Sequence, residues 1–251
     1  MLLAAGIKRG MDVLDVGCGI GDVSFLLAGM VGSEGSIVGV DLDAEAIRVA
    51  EQRRMAQGLS NVRFRQSDAR SLEPGPIFDA AVGRFVLMFM RDATAALQLI
   101  AERIRPGGIV AFHEVDPRVT VAPDKNYPVL ARFQSLIAQT FERSGAHLET
   151  GEELYQRMLD AGFEPDPRPV AEIPVVMGRG EIAYRRWALF ARSMLPKMVE
   201  YGLAMEKDVL EIVEHRLRDE LLLARGLIPL NWLMIGQWAR KPLLGPARSA
   251  R

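Results

Sequence analysis

Cysteine is almost missing from this chain: Cys18 alone among 251 residues. A single thiol excludes an internal disulfide framework and any cysteine-rich metal site, and no metal centre is expected. A charge excess is missing too. The 31 Lys and Arg stand against 32 Asp and Glu, a net charge of −1, so composition does not draw the chain toward nucleic acid. Arginines gather in 48–54 and 63–70, yet acidic residues interleave, as on a solvated helix face. Histidine is scarce, with only His113, His147 and His215. No apolar run reaches the roughly 18 residues of a membrane-spanning helix. Met1-Leu2-Leu3-Ala4-Ala5 is too short for a signal peptide ahead of the first strand, so a cytoplasmic protein is expected. Internal repeats and low-complexity tracts are absent. A hydrophobic content of 49% is ordinary for a globular chain.

What is there begins at Val13–Asp22, read Val-Leu-Asp-Val-Gly-Cys-Gly-Ile-Gly-Asp. An apolar run ends in Gly17, Gly19 and Gly21, and a helical pattern follows over 22–31. That is a strand, a tight turn and a helix start. Glycine permits unusual dihedrals and close approach of a ligand, and the helix N-terminus behind the turn presents N–H groups. The next run, Ile37–Val40, ends in Asp41. An acidic residue at the tip of the second strand, about 20 residues past such a loop, can accept both hydroxyls of a ribose. Asp43 precedes the helical stretch 44–57 and reads as its N-cap. Further runs over 62–66, 77–82 and 109–112 end at Ser67-Asp68-Ala69, Gly83-Arg84-Phe85 and His113-Glu114. Strands thus alternate with helices, and ligands of such sheets bind beyond the strands' carboxyl ends. A nicotinamide fingerprint would place its third glycine at position 22, which is Asp22; the pattern is G-x-G-x-G, which suits a ligand without a pyrophosphate.

In this order, Asp-Val-Gly-Cys-Gly-Ile-Gly, Gly-Val-Asp, Ser-Asp-Ala, Phe-Asp-Ala-Ala-Val and Arg-Pro-Gly-Gly resemble the class I S-adenosylmethionine-dependent methyltransferases, most nearly the small-molecule branch with the quinone-type enzymes. The motifs span Val13 to Glu114. The resemblance implies a Rossmann-like α/β fold, a doubly wound and mostly parallel seven-stranded sheet. It implies S-adenosylmethionine as donor and S-adenosylhomocysteine as product. It also implies the donor contacts: Asp15 near the methionyl amine, and the Gly17, Cys18, Gly19 and Gly21 backbone wrapped round the donor. Asp41 would take the ribose hydroxyls, Leu42 pack on the adenine, Asp68 accept from the adenine amino group, and the Ala69 N–H meet a ring nitrogen. Arg84 and Phe85 would face the methionyl end. Arg84 departs from the smaller polar residue common there. Relatives usually carry a helical arm before the first strand, which here starts near Met11; the arm is absent, or the chain's first residues are not the natural start.

Past the fifth strand the pattern changes. Pro117, Pro123 and Pro128 mark a loop, and 129–143 reads as a helix with Phe133, Ile137 and Phe141 at spacing four. Thr150 to Glu153 reads as a capping box ahead of a helix over 152–161. Val170–Met177 is expected to be strand six and 229–240 strand seven, the last antiparallel, with 243–251 a frayed tail. Between them, 180–198 and 206–225 are two long helical patterns joined near Tyr201-Gly202. The expected organisation is one methyltransferase domain over 1–251, with a helical cap at 180–225 lying over the ligand cleft. Tyr184, Trp187, Phe190, Met194 and Met198 form one apolar stripe on the cap.

Methyl transfer from a sulfonium needs alignment of nucleophile, methyl and sulfur more than acid–base help, and no triad is legible. His113 or Glu114, after strand five, is the expected acceptor-side catalytic group, able to take a proton from a hydroxyl or amine. His147 sits in a loop, and His215 reads as solvent-facing. The expected function is methyl transfer to an O, N or C nucleophile of a small, mostly apolar metabolite. The alternative is a non-catalytic or repurposed donor-binding protein, a regulatory subunit or a rearrangement catalyst. Partners would be a small-molecule acceptor and no nucleic acid; assembly as a homodimer stays open.

Overall fold

The computed structural model describes residues 1–69, 75–119 and 126–243. Part of the expected loop at 68–76, Pro123 and the tail beyond Leu243 therefore lie outside the described residues. Two compact units emerge, one of Met1–Glu114, Thr150–Val170 and Ile235–Arg251, the other of Val115–Glu149 and Ala171–Met234. The second unit is wider than the helical cap expected at 180–225.

The first unit alternates strand and helix as its periodicities require. After a single turn α1 (Leu2–Ala5) come β1 (Asp12–Val16), α2 (Asp22–Val31), β2 (Ser36–Asp41), α3 (Ala44–Ala56), β3 (Val62–Gln66), β4 (Phe78–Arg84), α4 (Ala93–Ala101) and β5 (Ile104–Asp116). Local chemistry sets the helix starts. The Asp43 carboxylate accepts from the Glu45 and Ala46 N–H groups, and Asp92 from Ala95 N–H, so two of the four orphan donors at the start of α3 and one at the start of α4 find partners close by. Pro128 opens α5 (Pro128–Arg143) from a position where its missing N–H costs nothing. The helix α6 begins at Thr150 itself (Thr150–Asp160), two residues before its expected start.

The main sheet has the order β3-β2-β1-β4-β5-β10-β6, where β6 is Glu164–Pro165 and β10 is Leu233–Arg240, and β7 (Val170–Glu172) also pairs β10. The five strands from β1 to β5 pair in parallel. Gly107 and Gly108 at the start of β5 exchange backbone bonds with Lys241, just past the end of β10, so β10 runs antiparallel. Among the described residues the main sheet has eight strands where seven are expected, and the single strand expected over 170–177 divides. Pro174, which has no N–H to give a ladder, separates β7 from β8 (Val175–Met177). The latter pairs instead with β9 (Leu227–Pro229) in a separate two-stranded sheet.

Strand alternation makes two cores. On one face Leu14, Val16, Val110 and Phe112 pack with Leu97 and Ile100 of α4 and with Leu154 and Met158 of α6. On the other, Val13, Ile37, Val82 and Ala111 pack with Leu27 and Val31 of α2 and Ala50 of α3.

The second unit has its own core. Trp187 of α7 (Gly180–Glu200) is fully buried and donates through its indole N–H to the Pro229 carbonyl at 2.8 Å. Its ring meets Trp232 edge-on at 5.3 Å and Phe133 at 6.3 Å. The helical stretch expected over 206–225 is α8 (Glu206–Glu211), a π-helical segment Ile212–Leu217 and α9 (Arg218–Leu223).

Candidate functional site

The chain reverses its direction of winding between β1 and β4, and a cavity of about 310 Å³ lies past the carboxyl ends of these strands and their neighbours. Gly17 follows β1, Val40, Asp41 and Leu42 close β2, Ser67, Asp68 and Ala69 follow β3, and Phe85, Val86, Phe89 and Met90 follow β4. Six of the expected donor residues therefore meet round one space: Gly17, Asp41, Leu42, Asp68, Ala69 and Phe85. Asp15 and Cys18 are buried, and Gly19, Gly21 and Arg84 do not line it.

The glycine turn is tied to β2 through its own N–H groups. Gly17 and Cys18 donate to the Val40 carbonyl, and Gly19 donates to the Asp41 carboxylate at 2.8 Å. The second Asp41 oxygen accepts from Asp43 N–H at 2.9 Å. A carboxylate offers about four acceptor directions, so two remain. Gly17 needs its lack of a side chain twice over: φ is +67°, and a Cβ would stand 2.4 Å from the Val86 side chain. Arg53 of α3 braces the turn, donating to the Ile20 carbonyl and pairing with Asp22 at 2.8 Å.

Alternation along β1 turns Asp15 toward α2, where one oxygen accepts from the Ser24 hydroxyl at 2.5 Å. The other oxygen is buried with no hydrogen-bond partner. Burial raises this carboxyl from 3.8 to about 7, against the lowering effect of the Ser24 bond. Burial likewise pushes the Cys18 thiol up, which makes it a packing group rather than a thiolate nucleophile. Ser24 is a partner that the sequence reading missed; its place in the first turn of α2 was the available signal.

Past β4 the backbone is strained. Phe85 has φ +57°, and among the described non-glycine residues it alone is positive. Its N–H donates to the His113 carbonyl at 2.9 Å, and the Arg84 guanidinium lies 5.4 Å from its ring. No site residue is expected in the run 86–90. A 3₁₀ turn, Leu87–Phe89, divides it into buried Leu87 and Met88 and the cavity-lining Val86, Phe89 and Met90.

The two acceptor-side candidates part company. His113 pairs in register with Arg84 and is half-buried, its ring 6.0 Å from that of Phe85. Glu114 points to the opposite face of β5 and is fully buried, raised by burial from 4.5 to about 7. Asp116 binds Arg118 through both carboxylate oxygens, and His147 and His215 are exposed. Among the described residues no cluster of metal-ligating side chains occurs, and no helix is long and apolar enough to cross a membrane.

The arrangement fits a nucleoside with a cationic tail: an unpartnered buried carboxylate oxygen on Asp15, spare acceptor directions on Asp41, and open space where Gly19 would carry a Cβ.

Comparison with known proteins agrees. The methyltransferase domain family matches residues 7–162. The ubiquinone/menaquinone biosynthesis C-methyltransferase UbiE of Coxiella burnetii is 33% identical over 172 residues, covering 63% of this chain and 68% of that protein. Aklanonic acid methyltransferase DauC of Streptomyces sp. strain C5 is 29% identical over 169 residues, covering 61% and 75%. The YcgJ protein of Bacillus subtilis shares the fold, with a TM-score of 0.61 at 20% identity and 96% of each chain covered. The chain belongs to the class I S-adenosylmethionine-dependent methyltransferases that act on small molecules.

Proposed function

We propose that this enzyme methylates a carbon atom of a small, mostly apolar, ring-bearing metabolite. The observation that carries the carbon assignment is the 33% identity with a quinone-pathway C-methyltransferase. S-adenosylmethionine supplies a methyl group on a positive sulfur, which keeps the bond's electron pair and leaves as the thioether of S-adenosylhomocysteine. The protein's part is to hold the reacting atoms in line and away from water.

In this reading Asp41 binds the ribose hydroxyls through its two remaining acceptor directions. Asp68 and the Ala69 N–H read the adenine edge, and Leu42 packs on its face. The unpartnered oxygen of Asp15 serves the methionyl ammonium, the Gly17–Gly21 backbone follows the donor's chain, and Arg84 and Phe85 close its methionyl end. A ring carbon that gains a methyl must afterwards lose its proton. Of the two acceptor-side groups we assign that proton to His113, which is half-buried where Glu114 is fully enclosed. The near-neutral net charge supports a free metabolite rather than nucleic acid as acceptor. Cytoplasmic residence and a homodimer are the settings we propose for it; cell fractionation and light scattering test them.

The experiment is incubation with donor carrying a ¹³C methyl and a panel of hydroquinones and phenolic polyketides, with the product read by NMR. A label on ring carbon is expected. A label on oxygen or nitrogen overturns the carbon assignment, and failure of the donor to bind in calorimetry overturns the reading of the cavity.

A further inference from the structure

Glu114 is a puzzle for any scheme in which it handles the acceptor's proton. Its side chain is fully buried, on the face of β5 that packs against α4 and α6. One carboxylate oxygen is already engaged twice, accepting from Val86 N–H at 3.1 Å and from Leu87 N–H at 2.9 Å. The other is buried and meets no partner. A base must reach its proton, and here both oxygens are enclosed.

The two N–H groups that Glu114 holds open the 3₁₀ turn immediately after Phe85. That turn supplies Val86, Phe89 and Met90 to the cavity wall. Its first side chain, Val86, is also the one that the missing Cβ of Gly17 makes room for. The same short segment is pinned from the other side by the Phe85 N–H bond to the His113 carbonyl. A left-handed φ at a phenylalanine is unfavourable by itself and persists only when neighbouring contacts over-determine it. Neighbouring residues of β5 provide those contacts: His113 through its carbonyl and Glu114 through its carboxylate.

We infer that Glu114 is a positioning residue for the donor: its buried carboxylate clamps the Val86–Leu87 backbone, and so holds the strained Phe85 and the cavity wall in their donor-binding form. The inference rests on the assignment of this cavity to S-adenosylmethionine. It separates the neighbouring residues 113 and 114 into two tasks, since alternation along the strand sends one to each face.

The test compares Glu114→Gln and Glu114→Ala with the unaltered chain, in S-adenosylhomocysteine calorimetry and, with an acceptor in hand, in separate measurements of kcat and donor KM. Glutamine keeps a carbonyl oxygen for the two N–H groups but cannot act as a base. It is expected to bind within about threefold of the original and to keep most of kcat. Alanine leaves both N–H groups without an acceptor and is expected to weaken donor binding about tenfold or more, raising donor KM while kcat at saturation falls much less. Circular dichroism confirms that each variant is folded; if alanine is not, the glutamine result decides alone. Loss of turnover in Glu114→Gln with unchanged donor affinity would make the carboxylate a base and overturn the proposal. Unchanged donor binding in a folded Glu114→Ala would overturn it as well. An unaltered chain that binds no S-adenosylhomocysteine would instead refute the cavity assignment beneath it.

Discussion

Asp15 and Glu114 are two carboxyls that burial holds near 7 in the folded chain, against ordinary values of 3.8 and 4.5. The direction has a consequence for stability. Between roughly pH 4 and 7 the folded protein keeps two protons that an unfolded chain releases, so unfolding sheds protons. The stability these groups contribute is fully present below pH 4 and is lost as pH rises through about 7, at up to about 1.4 kcal/mol per pH unit for each. Urea midpoints should therefore fall between pH 5 and pH 8, and Asp15→Asn with Glu114→Gln should flatten that slope. Midpoints that do not respond to either substitution would show that neither carboxyl is protonated in the folded state. Asp41 works differently. Its oxygens hold Gly19 and Asp43 N–H groups, so it organises the glycine turn before any ribose arrives. Asp41→Ala should weaken S-adenosylhomocysteine by about tenfold or more in calorimetry, because charge-assisted bonds of about 1.5–3 kcal/mol are lost.

Among elements, those with local signals stand where the sequence put them. The helix α2 occupies the expected 22–31, since a glycine turn starts it and Gly32 ends it. Where the deciding partner is distant, the reading fails. The cap of α5 is one case: Glu220, on α9, accepts from the Val129 and Leu130 N–H groups at 2.9 Å each, and no residue near Pro128 announces it. Glu220→Ala should cost about 1–2 kcal/mol of stability by leaving two helix-terminal donors without their acceptor. Tryptophan fluorescence during denaturation measures it, because Trp187 and Trp232 sit together in that unit's core. An unshifted transition would mean that water replaces the carboxylate without loss. Strand division is the other case. The apolar run 170–177 has one composition but two partners, β10 for its first part and β9 for its last, and Pro174 stands where the ladder must break.

At the scale of the whole molecule, the residues lining the cavity proposed for the donor all belong to the unit built of Met1–Glu114, Thr150–Val170 and Ile235–Arg251. S-adenosylhomocysteine at 100 times its dissociation constant should stabilise that unit by about 2.7 kcal/mol. Amide exchange should slow most at 17–21, 41–43 and 85–90, with little change in the α7–α9 helices. Equal protection of both units would show that the donor orders the whole chain. The five strand runs, the helices between them and the glycine turn were all determined by the sequence itself, because periodicity, glycine placement and capping act over a few residues. The same holds for Asp41 at a strand tip. Tertiary structure alone decided that Val86, Phe89 and Met90 would wall the cavity, that Glu114 would take the N–H groups of Val86 and Leu87, and that Phe85 would be held at a strained φ. Those outcomes depend on which segments pack side by side once the sheet closes, and no short stretch of chain carries that information.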